Sequence, residues 1–312
     1  TGIEDLDEML GGEGFYRGMS ILISGTAGTG KSSIASTFLA AACSRGERAL
    51  YVSFEEGPEQ IIRDMSSIGL DLGRWVEEGR LRFETRRPYR QGLEQHLLRI
   101  QRCVDEFEPE VVAVDPISNL REIGTPSEAR NMLTRLIDYL KSRQITAVMT
   151  DLTPASGAME ESASHVSSMM DSWLLLRDVE RDGERNKVLY LIKSRGMAHS
   201  RQVREFQFTD DGIRLAEVYV GPEGVLTGTA RYTQELKERK EREAREREIE
   251  RRGNELERKR ETMEARLEGI RAEYEMEKRE IERAIEEQKT QLELEQEARK
   301  RRRQRRGGGT ND

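Results

Sequence analysis

Cysteine is almost missing from this chain: Cys43 and Cys103 are the two in 312 residues. One falls in an apolar helical segment and the other in an amphipathic one, so no disulfide framework is implied and a reducing cytoplasm fits. There is no run of 18 apolar residues and no signal-peptide pattern, and no membrane span is therefore expected. The opening Thr1-Gly-Ile3 carries no Met, and the expectation is a processed or truncated product, the back half of something longer. Basic charge is not in excess over the first 234 residues, which hold 28 Lys and Arg against 36 Asp and Glu. Such a surface repels a phosphate backbone, so nucleic acid is not an expected partner. Proline does not occur between Thr233 and Lys300, and its absence permits an unbroken helix there.

What the chain has in plenty is charge, 36% of residues against 35% hydrophobic, and the charge is unevenly spread. From Glu235 to Arg306 there are 24 Lys and Arg and 22 Asp and Glu. The expected organisation is a globular domain over 1–232, a long helix over 233–300 and a basic, flexible tail over 301–312. About 230 residues are ample for one large α/β core.

The run Gly25-Thr26-Ala27-Gly28-Thr29-Gly30-Lys31-Ser32 fits G-x-x-x-x-G-K-[ST] in full and directly follows the apolar Ser20–Ser24. Its glycines allow the backbone to turn N–H groups inward around a triphosphate, Lys31 can reach the β- and γ-phosphates, and Ser32 offers a hydroxyl to Mg²⁺. Ser33 opens the helix-like segment that follows and is taken with the loop as part of the nucleotide site.

Apolar runs of strand length recur at Ser20–Ser24, Ala49–Phe54, Leu81–Glu84, Val111–Val114, Thr146–Thr150 and Trp173–Leu176. Helical spacing fills the intervals at Lys31–Ser44, Pro58–Ile68, Gln91–Phe107 and Pro126–Ser142. Strands that alternate with helices predict a parallel, doubly wound sheet. Beyond Leu174 the pattern changes to strands alone, Val188–Lys193 and Val203–Thr209, with Arg181–Asn186 as a polar hairpin turn. An antiparallel edge on a parallel core is the expectation.

The segment after Thr233 reads as one helix of roughly 100 Å at 1.5 Å per residue. Glu precedes a basic residue by four at Glu241/Arg245, Glu243/Arg247, Glu248/Arg252, Glu255/Lys259 and Glu275/Arg279, each pair contributing about 0.2–0.5 kcal/mol. Ile249, Leu256, Met263 and Ile270 are spaced by seven, and Leu267, Tyr274 and Ile281 form a second such series. Together they make an a/d seam, interrupted by Glu246, Gly253, Arg260 and Glu277. A coiled coil and a lone solvated helix both fit this pattern. The block Arg299–Arg306 reads first as a solvated terminus, with a patch for nucleic acid or an acidic partner as the alternative.

Val111–Val114 is an apolar strand closed by Asp115, the usual complement to a phosphate cradle, placed to hold Mg²⁺ through water beside Ser32. Ala49–Phe54 ends in Glu55-Glu56, expected beside the loop of the first strand. Two adjacent carboxylates at a phosphate site are costly unless one works as a base, and Glu55 is the preferred one, with Glu56 orienting it.

The P-loop, the Glu55-Glu56 pair, the Asp115 strand end, Ile192-Lys-Ser-Arg195-Gly and the opening Thr1-Gly-Ile-Glu-Asp-Leu-Asp7 together resemble the RecA-like ATPases of the KaiC type, the circadian-clock ATPases and autokinases. The resemblance covers about residues 1–232. It implies a RecA-like P-loop fold with ATP/ADP and Mg²⁺, and a homo-hexamer with ATP at subunit interfaces. Lys193 and Arg195 then reach the neighbour's γ-phosphate, and a regulatory protein like KaiB becomes a partner. Ser162–Asp171 is similar to the phosphorylated segment of the second ATPase half, which makes Ser167 and Ser168 the acceptors by position. Ser168 stands where the family has threonine, Ser162 replaces another threonine, Ala163 replaces an aspartate, and the long helix replaces a short tail. The expected function is a serine/threonine autokinase with slow ATPase activity and return of the phosphoryl group to ADP. The rivals are a RecA or RadA-type DNA-dependent ATPase and a nucleotide-gated ring scaffold. Asp151–Ser164, without Lys or Arg, speaks against the first. Six projecting helices per ring would give a dodecamer by pairing two rings.

Overall fold

Alternation along the central strands decides the architecture. In β1 (Ser20–Gly25) Ile21 and Ile23 enter one buried cluster while Leu22 enters another. β4 (Val111–Asp115) divides in the same way, with Val111 and Ala113 on one face and Val112 and Val114 on the other. A strand apolar on both faces needs cover on both, and helices provide it. The computed structural model describes residues 1–87, 92–153, 166–181, 183–209, 212–221 and 224–306. They divide into two units, Thr1–Thr233 and Gln234–Asp312.

In the first unit, α1 (Glu4–Met9), α2 (Lys31–Ser44), α3 (Pro58–Ser66) and α4 (Leu72–Glu77) cover one face through Leu6, Leu39, Ile61 and Leu72. α5 (Leu93–Phe107) and α6 (Pro126–Ser142) cover the other through Leu97, Ile100, Leu133 and Leu136. Thr125 caps α6 in a reciprocal box with Glu128, and Pro126 sits in the first turn, where no N–H is required of it. The remaining strands are β2 (Ala49–Ser53), β3 (Leu81–Thr85), β5 (Thr146–Leu152), β6 (Ser172–Arg181), β7 (Glu184–Ser194), β8 (Arg204–Thr209) and β9 (Gly212–Glu217). One nine-stranded sheet takes the order β3-β2-β4-β5-β1-β6-β7-β8-β9, parallel from β3 to β6 and antiparallel from there on. This is the expected parallel core with an antiparallel edge.

Three details differ from the sequence reading. β2 is not the neighbour of β1, because β4 and β5 lie between them. Most of the polar turn expected at Arg181–Asn186 is strand, since β6 continues to Arg181 and β7 begins at Glu184; Arg185 pairs with Asp178 across this hairpin at 2.8 Å. Several elements are absent from the sequence reading: α1, the 3-10 helix Ile117–Glu122, α4, whose signal is the Asp71 cap accepting from the Arg74 N–H at 3.2 Å, then β9 and the small hairpin of β10 (Tyr219–Gly221) and β11 (Gly224–Leu226).

The long helix, α7, runs from Gly228 to Arg306, starting before and continuing past the expected 233–300. The basic block through Arg306 is thus helical, where the sequence reading expects a flexible tail from 301. Its first turn is held by two acids of the sheet: the Gly228 N–H donates to Glu205 Oε2 at 3.1 Å and the Thr229 N–H to Glu184 Oε2 at 3.2 Å. Carboxylates satisfy the orphan donors of a helix start and complement its dipole. Beyond Gln234 no described side chain is buried. Glu243/Arg247, Glu248/Arg252 and Glu255/Lys259 form the expected ion pairs at 3.4, 2.9 and 2.9 Å. Among the described residues no helix is long and apolar enough to cross a membrane.

Candidate functional site

The phosphate loop leaves β1 at Gly25 and enters α2 at Lys31 with Gly30 as the helix cap. Gly30 has φ 102°, and a Cβ there would lie 2.8 Å from the Phe206 ring. A Cβ at Gly25 would lie 2.7 Å from the Leu176 carbonyl oxygen. Both positions therefore require glycine for conformation or space. The Thr26 carbonyl accepts from Thr29 Oγ1 at 2.8 Å and from Lys31 Nζ at 2.7 Å, which closes the loop on itself. Lys31 is only 6% exposed. Burial lowers its pKa below the ordinary lysine value, opposed by the charges of Asp115, Asp151 and Glu55.

Three strands, β2, β4 and β5, deliver the surrounding carboxylates and hydroxyls. Asp115 closes β4, and its two oxygens accept from Tyr51 Oη, at 2.5 Å, and from Thr150 Oγ1. Burial, and then the charge of Asp115, push the Tyr51 phenol well above its usual range, so Tyr51 acts as a donor that orients the carboxylate. After β2, Ser53 Oγ donates to the Glu56 carbonyl at 2.8 Å and accepts from the Glu56 N–H at 3.1 Å. Burial first, then Asp64, Asp115 and Glu55, raise the Glu56 pKa. Glu55 is exposed. Although β2 lies two strands from its expected place, the C-terminal ends of the parallel strands converge. A cleft of about 190 Å³ gathers Gly28, Lys31, Ser32, Glu55, Glu56 and Asp115. Ser33 is buried in the first turn of α2 and does not line the cleft.

Sequence reasoning missed Asp151. It is fully buried at the end of β5 opposite Ser24 of β1, and Arg121, from the 3-10 helix Ile117–Glu122, donates to its Oδ1 at 2.5 Å. Burial raises its pKa to about 6 in spite of Arg121 and Lys31. A signal existed, since this carboxylate follows an apolar strand just as Asp115 does.

The second group of expected residues meets elsewhere. Ser172 is in register with Ile21 and Leu176 with Gly25, so the residues before β6 lie at the edge of the sheet opposite the phosphate loop. The intervening length of strand is about 15 Å. Ser167 and Ser168 are at that far edge, and the end of β7 brings Lys193 and Arg195 to them. Lys193 Nζ donates to the Ser167 carbonyl at 2.5 Å, and Arg195 Nη2 to the Ser168 carbonyl at 3.0 Å. Burial, and then Arg195, lower the Lys193 pKa. Ser167 is buried and Ser168 exposed. A groove of about 570 Å³ beside them is lined by Lys193, Arg195, His199 and Arg201. Lys193 and Arg195 thus do not enter the chain's own nucleotide cleft. The neighbouring Ser162, Ala163 and His165, and most of the acidic Asp151–Ser164 segment, lie outside the described residues.

Residues 1–219 match the family described as ATPase: KaiC. The chain is 50% identical over 240 residues to the circadian clock protein KaiC2 of Synechocystis sp., covering 76% of this chain and 42% of that protein. It is 36% identical over 234 residues to KaiC3 of the same organism, covering 75% and 46%. To the circadian clock oscillator protein KaiC of Thermostichus vulcanus it is 35% identical over 230 residues, covering 73% and 44%. It spans less than half the length of these relatives. With a Gly-rich loop between β1 and α2, an Asp at the end of β4 and a sheet parallel up to β6, the chain belongs to the KaiC family of RecA-like ATPases.

Proposed function

We propose that this chain is an ATP-dependent serine autokinase with slow ATPase activity, in which each subunit's acceptor segment is served by the cleft of a neighbour. One observation carries the reading: Ser168 is exposed and flanked by Lys193 and Arg195, about 15 Å of sheet away from the phosphate loop of the same chain. Transfer within one chain lacks the contact distance that the reaction needs. Transfer across an interface supplies it, and a closed ring gives every cleft such a neighbour; the homo-hexamer is the ring that the family resemblance implies.

The cleft fits a nucleotide with Mg²⁺: its loop carries left-handed glycines before a 14-residue helix, and a buried lysine faces an oriented carboxylate. Ser32 and Asp115 would hold Mg²⁺, which supplies charge neutralisation on the phosphates. Lys31 and the loop N–H groups bind and orient the triphosphate. Glu55 accepts the proton of the attacking serine hydroxyl, while Glu56, fixed by Ser53, keeps it in position. The Oγ–P bond forms as the bond from the γ-phosphorus to the β–γ bridging oxygen breaks, and ADP leaves. In reverse, ADP takes the phosphoryl group back. With water in place of serine the same geometry hydrolyses ATP. The clock names of the relatives support a timing or signalling role, and a partner resembling KaiB belongs to the same reading.

Intact mass after incubation with Mg²⁺ and ATP tests it. One or two phosphates per chain are expected, on Ser168 or Ser167, and none after double replacement by Ala, with hydrolysis retained. No mass gain in the unmodified chain would overturn the kinase and leave a nucleotide-gated scaffold.

A further inference from the structure

The faces of α7 beside its seam follow a charge order that spacing alone does not reveal. With Leu267, Tyr274 and Ile281 at a and Ile249, Leu256, Met263 and Ile270 at d, the g positions are Arg245, Arg252, Lys259 and Arg266, then Glu273, Glu280 and Glu287. The e positions run the other way: Glu250, Glu257 and Glu264, then Arg271 and Lys278. Both rows change sign between Glu264 and Glu273. A sequence whose flanks reverse sign about one point is complementary to itself read backwards.

We propose that α7 pairs antiparallel with α7 of a second copy of this chain, centred between Glu268 and Gly269. In that register Leu267 meets Ile270, Met263 meets Tyr274 and Leu256 meets Ile281. The interruptions of the seam become partners: Arg260 faces Glu277, and Gly253 faces Ala284. Between Arg252 and Glu287 every charged flank meets its opposite, Arg266 with Glu273, Lys259 with Glu280, Arg252 with Glu287, Glu264 with Arg271 and Glu257 with Lys278. A parallel, in-register pair also sets Arg252 against Glu257, Lys259 against Glu264 and Glu273 against Lys278, but it sets Arg266 against Arg271 and stacks Arg260 on Arg260 and Glu277 on Glu277 in the seam itself. Like charges in these places oppose that arrangement. The apolar side chains to be covered are open in the single chain, from Ile270 at 54% to Ile249 at 71% exposed. Arg260 is held there by Glu264 of its own helix at 3.1 Å, so pairing exchanges one carboxylate for another. From Ile249 to Gln288 the paired stretch is about 60 Å long. On the hexameric reading, subunits of one ring send their helices the same way, so an antiparallel pair joins chains of separate rings.

The test is disulfide trapping in the full-length protein, where Cys43 and Cys103 are buried. Chains with Gly253→Cys mixed with chains with Ala284→Cys should crosslink as mixed dimers, identified by their linked peptides, and neither should crosslink to itself. Self-crosslinking of each variant would establish parallel pairing and overturn the proposal, as would no crosslink at all with the solvated helix of a single chain. In sedimentation at low salt, Arg260→Glu should weaken association at least tenfold. Adding Glu277→Arg should restore it, which a parallel pair forbids; failure of that rescue also counts against the register. These readouts require no phosphoryl transfer, so they stand or fall apart from the kinase.

Discussion

The sheet of residues 1–233 and the helix beyond it meet the demand for satisfied backbone groups by opposite means. In the first unit the bonds of the sheet run between distant segments: β1 pairs with β5 and β6, and Trp173 Nε1 donates to Ser24 Oγ at 2.6 Å. In the second every backbone bond is local, and the side chains contribute ion pairs between residues three or four apart. Glycine makes the contrast concrete. Gly30 is pressed against Phe206 in a left-handed conformation, whereas Gly269 has nothing within 4 Å of where a Cβ would be. One residue type is a requirement in the first unit and only a weakness in the second.

The largest effect that would separate the units is catalytic. Lys31→Ala or Asp115→Asn should reduce phosphate release from ATP by about 10²–10³-fold, as expected on loss of preorganised charge at a transferring phosphoryl group. The helical signal should stay. Hydrolysis at the original rate in either variant would remove the cleft from the mechanism.

Next comes the same substitution in both places. Gly30→Ala should destabilise the first unit by about 1–3 kcal/mol, through strain at positive φ and contact with Phe206. Gly269→Ala should stabilise the helix by roughly 0.5–1 kcal/mol, because it removes backbone freedom and meets no clash. Thermal melts followed by circular dichroism should move in opposite directions, and equal shifts would dissolve the comparison.

The smallest effect is one of pH. The Asp151 pKa is raised from 3.8 to about 6 in the folded chain. Between these values the folded state keeps a proton that the unfolded state has released, so this group's contribution to stability falls as pH rises from about 4 to 6. Asp151→Asn should flatten that part of a Tm profile. α7 has no buried acid to produce such a slope, and an unaltered profile would show that Asp151 is not its source.

The sequence by itself determined whatever depends on near neighbours: the phosphate loop with its strand and helix, the alternation of strands and helices, the Asp115 strand end and the unbroken Pro-free helix. Glycines at fixed offsets, period-two burial and i,i+4 charge are local quantities, legible without partners. Only the tertiary structure decided that β4 and β5 separate β2 from β1 and still bring Glu55 and Glu56 to Lys31. It alone set the Arg121–Asp151 pair beside the loop, gathered Lys193 and Arg195 with Ser167 and Ser168 at the far edge, and anchored α7 on Glu184 and Glu205. These are matters of strand order and register. They join residues far apart in sequence, and the energy that selects them comes from burying both faces of one sheet at once.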